Sequence, residues 1–260
     1  MYRKDSLWLD TLIKAPVTVP TVIHYNINDS TSYIQVKSFR TTNDDFAQWQ
    51  TTNEFLYALE QTQETQNSII DLRDNPGGSV MECARMSDFF LTKGQVIFKT
   101  QSKSPSSVDH KSIYSTTVAS DTLPTQNRRY VFLANINSAS CSEIFLNAIA
   151  FNTDWPIVGE TTFGKGIGQS FYTTYLRGIA KLTTLVFYNG DFETYHSKGV
   201  PPTHKVEGEN AQFAKALSLL GSNPPARVLP RAFLKTPTEI KEQEHQAVQL
   251  FRDSTYFTIP

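Results

Sequence analysis

The chain has 260 residues, 39% of them apolar and 19% charged, with a formal net charge of −1. That balance is globular, enough for one large domain or two small ones, and excludes a disordered or collagen-like class. Charge so near zero exerts no long-range pull on nucleic acid, so partners must be argued from local sites.

The two cysteines, Cys83 and Cys141, are too few for a disulfide framework and lack a C-x-x-C spacing. They are expected to be free and buried, although a single bridge between them stays open. No run of about 18 apolar residues exists to span a membrane. The opening M-Y-R-K-D-S-L-W-L-D has neither the apolar region nor the cleavage pattern of a secretory signal.

Taken in chain order, V-T-V-P-T-V-I-H-Y-N-I-N-D reads as a strand and turn, and S-Y-I-Q-V-K-S-F (32–39) alternates as a second strand. Phe46, Trp49, Phe55, Leu56 and Leu59 recur at helical spacing within 44–64. N-S-I-I-D-L-R (67–73) is a buried strand, and D-N-P-G-G (74–78) breaks it. A helix follows over 80–91 and a strand over 95–100. Residues 101–127, rich in Ser, Thr, Asp and Pro, form a surface excursion with one poor strand, I-Y-S-T-T-V. Y-V-F-L-A-N (130–135) is a strong strand that leads through N-S-A-S-C-S into a helix over 143–151. P-I-V-G-E (156–160) is a strand, 169–176 and 180–189 form a hairpin around R-G, and 211–221 is a helix with a glycine stop. A Pro-rich linker (224–237) and a charged helix (238–252) complete the chain. Alternating strands and helices predict an α/β layer fold with antiparallel strands added late. Chemistry is expected where strands end in small-residue turns before helices.

Three such turns stand out. In N-S-A-S-C-S-E-I-F (137–145), Ser138, Ser140 and Ser142 precede a helix. Unpaired N–H groups at a helix start favour a developing oxyanion, so a serine there suits a nucleophile. Serine is equally a good N-cap, and the stretch alone favours capping. A nucleophile needs a base. None of His24, His110, His196, His204 and His245 lies in a convincing strand-end motif. The alternative is a neutral lysine, and F-G-K-G-I-G-Q (163–169) presents Lys165 between Gly164 and Gly166. Phe163 and Ile167 lie beyond the glycines, where they could desolvate the ammonium, and Gln169 lies four residues on, where it could orient it. Gly77 or Gly78 of D-N-P-G-G could present a bare backbone N–H as an oxyanion donor. Each piece by itself is also an ordinary turn.

Together, and in chain order, the pieces resemble the C-terminal processing (tail-specific) serine peptidases, family S41. I-I-D-L-R-D-N-P-G-G (69–78) resembles that family's strand and glycine turn, and N-S-A-S-C-S-E-I (137–144) its nucleophile segment. V-G-E-T-T-F-G-K-G-I-G-Q (158–169) resembles its lysine segment, while L-T-T (182–184) and K-G-V-P-P (198–202) resemble its closing strands. The resemblance covers about residues 32–206. It implies a ClpP/crotonase-like α/β core with a mixed sheet and flanking helices. It implies Ser140 as nucleophile, Lys165 as general base and Gln169 as its support. The N–H of Cys141 with Gly77 or Gly78 would form the oxyanion hole, leaving Ser138 and Ser142 to packing and capping. No cofactor or metal is implied, the partner is a polypeptide substrate, and the oligomeric state is open.

The pattern has departures. Asn137 stands where glycine is usual, Cys141 where alanine is common, and Thr203 where an acidic residue follows the proline. The expected organisation is an N-terminal segment (1–31), a peptidase core (32–221) and a C-terminal linker and helix (222–260), with too few residues before the core for a PDZ domain. Relatives act in the cell envelope or outside the cytoplasm, so the missing export signal suggests that Met1 begins a trimmed form. The competing expectations are a non-catalytic peptide- or ligand-binding module on the same fold and an acyl-CoA enzyme sharing only the oxyanion hole.

Overall fold

The computed structural model describes residues 19–41, 50–103, 111–120, 128–175 and 177–222. The first hairpin, β1 (Val22–Asn28) with β2 (Thr31–Val36), turns at Asp29–Ser30, where the Asn28 side chain accepts from the Ser30 N–H. Helix α1 (Thr51–Gln61) buries Phe55, Ala58 and Leu59 along one stripe. Phe46 and Trp49, which the sequence places on the same helix, lie outside the described residues, as does the helix expected over 238–252. Strand β3 (Asn67–Asp71) is followed by α2 (Val80–Asp88), then by the antiparallel pair β4 (Val96–Lys103) and β5 (Ser112–Val118). Strand β6 (Arg129–Ala134) leads into α3 (Cys141–Asn152), and β7 (Ile157–Gly159) leads to the hairpin β8 (Ile167–Thr173) and β9 (Ile179–Tyr188). A two-residue strand β10 (His204–Lys205) precedes α4 (Glu209–Leu219).

The strands form two sheets, not one layer with late additions. The six-stranded sheet runs β1-β2-β3-β6-β7-β10, antiparallel at β1/β2 and parallel elsewhere. The four-stranded sheet, β5-β4-β9-β8, is antiparallel throughout. The poor strand in the surface excursion is therefore a full edge strand, and β10, which the sequence reading passed over, closes the first sheet. Because β1 pairs with β2, the sheet begins at Val22 and takes in residues that the sequence reading put in an N-terminal segment.

Strand β3 is buried on both faces, as a central parallel strand should be. Its side chains alternate between two cores. Ile70 joins Phe132, Phe145, Phe90 and Met86 beneath α2 and α3. Ile69 joins Val131, Leu133 and Val158 beneath Phe213, Ala216 and Leu217 of α4. With both faces covered, the carboxyl ends of β3 and β6 lie side by side (Asp71 opposite Leu133), so the turns that follow must meet.

Candidate active site

The glycine turn and the serine turn are joined by buried hydrogen bonds. The Asn75 carbonyl accepts from the Ala139 N–H and the Ser142 hydroxyl, each at 2.9 Å. The Ser138 hydroxyl donates to the Leu72 carbonyl at 2.8 Å and accepts from the Asn135 N–H. Ser138 and Ser142 are fully buried and committed to holding these turns. Ser140 is half-buried between them.

Ser140 occupies the N-cap of α3 with φ 56° and ψ −113°. A non-glycine residue in such backbone costs about 1–3 kcal/mol and persists only where its surroundings impose it. Here Glu143 imposes it, as its carboxylate accepts from the Ser140 N–H at 2.8 Å. The position expected of the nucleophile is therefore also the N-cap of α3, so capping does not exclude the catalytic reading of this serine.

The same carboxylate gathers the lysine loop. Glu143 Oε2 also accepts from the Lys165 N–H at 2.7 Å, while Oε1 accepts from the Gly164 N–H at 2.5 Å and the Thr162 hydroxyl at 2.6 Å. The Ser140 and Lys165 backbone nitrogens thus share one oxygen atom and lie within two hydrogen-bond lengths of each other. Glu143 is fully buried, where an unpaired carboxylate would be very costly. Four donors compensate it, so the charge serves as a fixed bracket. The sequence reading missed Glu143, although the S-x-x-E spacing of Ser140 and Glu143 is a capping-box signal.

Gly77 packs directly on the serine turn. A Cβ there would fall 2.8 Å from both the Cys141 nitrogen and the Ser140 Cβ, and its φ of +99° also favours glycine. Of the two glycines proposed as oxyanion donors, Gly77 spends its N–H on the Asn75 side chain at 2.8 Å. Among the described residues the N–H groups of Gly78 and Cys141 have no hydrogen-bond acceptor. That leaves Gly78, beside Cys141, as the available donor.

Lys165 is half-buried, and Phe163, one of its two expected apolar covers, is 63% exposed. Gln169 lies exposed on β8 just after a bulge, and among the described residues no hydrogen bond joins its side chain to Lys165. The structure thus brings together Ser140, Cys141, Gly77, Gly78 and the Lys165 loop, but not Gln169.

Beneath the serine turn, Cys83 and Cys141 are free and fully buried. Burial, then the neighbouring Cys141, pushes the Cys83 thiol well up, so it stays protonated. Tyr195 is also buried, and its hydroxyl has no partner among the described residues. Burial first, and the Glu143 charge next, push its phenol well above 10. Behind the glycine turn, buried Asp71 pairs with Arg73 at 2.6 Å and accepts from the Tyr33 hydroxyl, while Arg73 reaches Gln212 of α4. Among the described residues no three His, Cys, Asp or Glu side chains are gathered as metal ligands would be.

The sequence model of Peptidase family S41 matches residues 30–206. The carboxy-terminal processing protease CtpA of Bacillus subtilis (strain 168) is 32% identical over 201 residues, covering 76% of this chain and 39% of that protein. The chain thus spans about two fifths of that relative's length. Among solved structures, the photosystem II D1 C-terminal processing protease matches with a TM-score of 0.63 at 19% identity, covering 80% of this chain and 54% of that one. A lipoprotein from Streptococcus agalactiae matches with a TM-score of 0.60 at 14% identity, covering 77% of this chain and 69% of that one.

Proposed function

The chain belongs to peptidase family S41, and from that premise we propose that it is a serine endopeptidase acting on extended or unfolded polypeptides through Ser140 and Lys165. One observation carries the reading: a single buried carboxylate, Glu143, holds the backbone of both residues at one oxygen.

Lys165 Nζ takes the proton from Ser140 Oγ as that oxygen attacks the scissile carbonyl. The carbonyl oxygen becomes an oxyanion facing the Cys141 and Gly78 N–H groups, fixed donors at the start of α3 and in the glycine turn. The C–N bond then breaks, and Lys165 returns its proton to the leaving amine. Water attacks the resulting ester, again giving a proton to Lys165, and collapse frees Ser140. A lysine accepts protons only when uncharged, so the rate falls toward acid pH. Gln169 would support Lys165 only after a side-chain movement that substrate brings about. Strand β8, which starts two residues after Lys165 and is an edge strand among the described residues, offers an extended chain a strand to pair with. The cell envelope, or the space outside it, is the proposed place of action.

Digestion of casein tests this reading. The wild type should yield fragments, Ser140→Ala none, and Lys165→Ala almost none, all three with unchanged circular dichroism. Equal cleavage by Ser140→Ala would remove the proposed nucleophile.

A further inference from the structure

The peptide unit between Gly164 and Lys165 is gripped from both ends. Its N–H, that of Lys165, donates to Glu143. Its carbonyl, that of Gly164, faces the segment that follows β9. There it accepts from the Ser197 N–H at 2.8 Å and lies 3.2 Å from His196 Nδ1. A carbonyl has no proton to give, so Nδ1 carries the hydrogen, which fixes the His196 tautomer. The other side of the lysine is pressed by the same residue. A Cβ on Gly166 would meet His196 N at 2.9 Å and His196 Cβ at 3.1 Å. His196 is half-buried, and its own N–H is held by the Thr194 hydroxyl at 3.1 Å. One histidine therefore bears on both glycines that bracket Lys165, opposite the carboxylate.

We propose that His196 is a positioning residue for the reaction. It locks the Gly164–Lys165 peptide plane by donating from Nδ1 to the Gly164 carbonyl, and so aims the Lys165 side chain at Ser140. The ring adds a second donor to a carbonyl that the Ser197 N–H already holds, and so restrains further a loop whose glycines have wide backbone freedom. The proposal rests on Lys165 serving as base, and its test separates the two.

The test is the second-order rate at which a fluorophosphonate phosphonylates Ser140, its Oγ–P bond forming as fluoride leaves, with the melting temperature of each variant, and kcat and KM on casein-derived peptides. His196→Phe keeps a ring but loses the donor. It is expected to slow phosphonylation about tenfold, less than the ~100-fold that a 1 Å misplacement costs. The loss should lie in kcat, with KM within about twofold. His196→Asn places an amide N–H where Nδ1–H stands and should recover most of the rate. In a Lys165→Ala background His196→Phe should add nothing further, because the histidine acts through the lysine. Phosphonylation of His196→Phe at the wild-type rate overturns the proposal. So does an Asn variant no faster than Phe at equal melting temperature, or an equal slowing in the Lys165→Ala background. If His196→Phe melts early, the Asn variant decides, because a folded Asn variant at the Lys165→Ala rate also overturns it. Unchanged phosphonylation of Lys165→Ala alone would instead refute the base assignment.

Discussion

Replacing Glu143 by glutamine keeps its shape and size but changes what it offers. Oε1 and Oε2 together accept from three backbone N–H groups and one hydroxyl. In glutamine one of those oxygens becomes an NH₂. Facing it toward Oε2's partners sets a donor against the Ser140 and Lys165 N–H groups. Facing it toward Oε1's partners sets it against the Gly164 N–H, while the Thr162 hydroxyl, already occupied by the Val200 N–H, must turn. Either orientation leaves one or two buried donors unpaired, at about 1–3 kcal/mol each. The expected cost is therefore roughly 1–6 kcal/mol. If borne by the whole domain, this lowers the melting temperature by about 2–24 °C at ~2–4 °C per kcal/mol. If the loops open locally instead, the melting temperature holds and activity falls, since Ser140 relaxes from its strained backbone. Casein cleavage and differential scanning calorimetry distinguish the two, and either outcome agrees with the structure. A Glu143→Gln protein with wild-type melting temperature and wild-type kcat/KM would refute the bracket.

Other consequences follow from the same geometry. Gly77→Ala forces a methyl against the Cys141 nitrogen and the Ser140 Cβ, so cleavage should fall at least about 100-fold, measured on casein with thermal stability as control. Ser138→Ala removes a buried hydroxyl that both donates and accepts, and should cost about 1–3 kcal/mol in urea unfolding while leaving cleavage measurable. Burial lowers the pKa of His24 from its ordinary 6.5. The unfolded chain then binds the proton more readily than the folded one, so stability holds above about pH 6.5 and declines as pH falls through that value. His24→Phe, which keeps the edge contact with Tyr57, should flatten that decline in unfolding curves taken from pH 7 to pH 5.

Periodicity and turn chemistry made much of this molecule legible. Ile69 and Ile70 announce a strand buried on both faces, and D-N-P-G-G and N-S-A-S-C-S mark the two strand ends that meet. The second sheet was less visible. Strand β5 is an edge strand exposed along most of its length, so it lacks the apolar alternation that marks a half-buried strand. Strand β10 is two residues long, below any periodic signal. In the site, local chemistry pointed to Ser140, Lys165 and the glycines. What joined the separate turns was hidden, because the contacts of Glu143 with the lysine loop and of Asn75 with the serine turn span 19 to 67 positions. The sequence does not link His196 to a strand-end motif for the same reason, since its partner, the Gly164 carbonyl, lies 32 residues away. Gln169 shows the converse. Its spacing from Lys165 suggested contact, but a bulge at Gly168/Gln169 alters the strand's facing, and the residue points to solvent.

The central claim is that Ser140 is a nucleophile activated within this bracket. The most direct measurement is to treat the folded protein with a fluorophosphonate and locate the adduct by peptide mass spectrometry. One adduct on Ser140, absent from Ser140→Ala and much slower to form in Lys165→Ala, is the predicted result. An adduct on Ser138 or Ser142, or casein cleavage with Ser140 unlabelled, would contradict it.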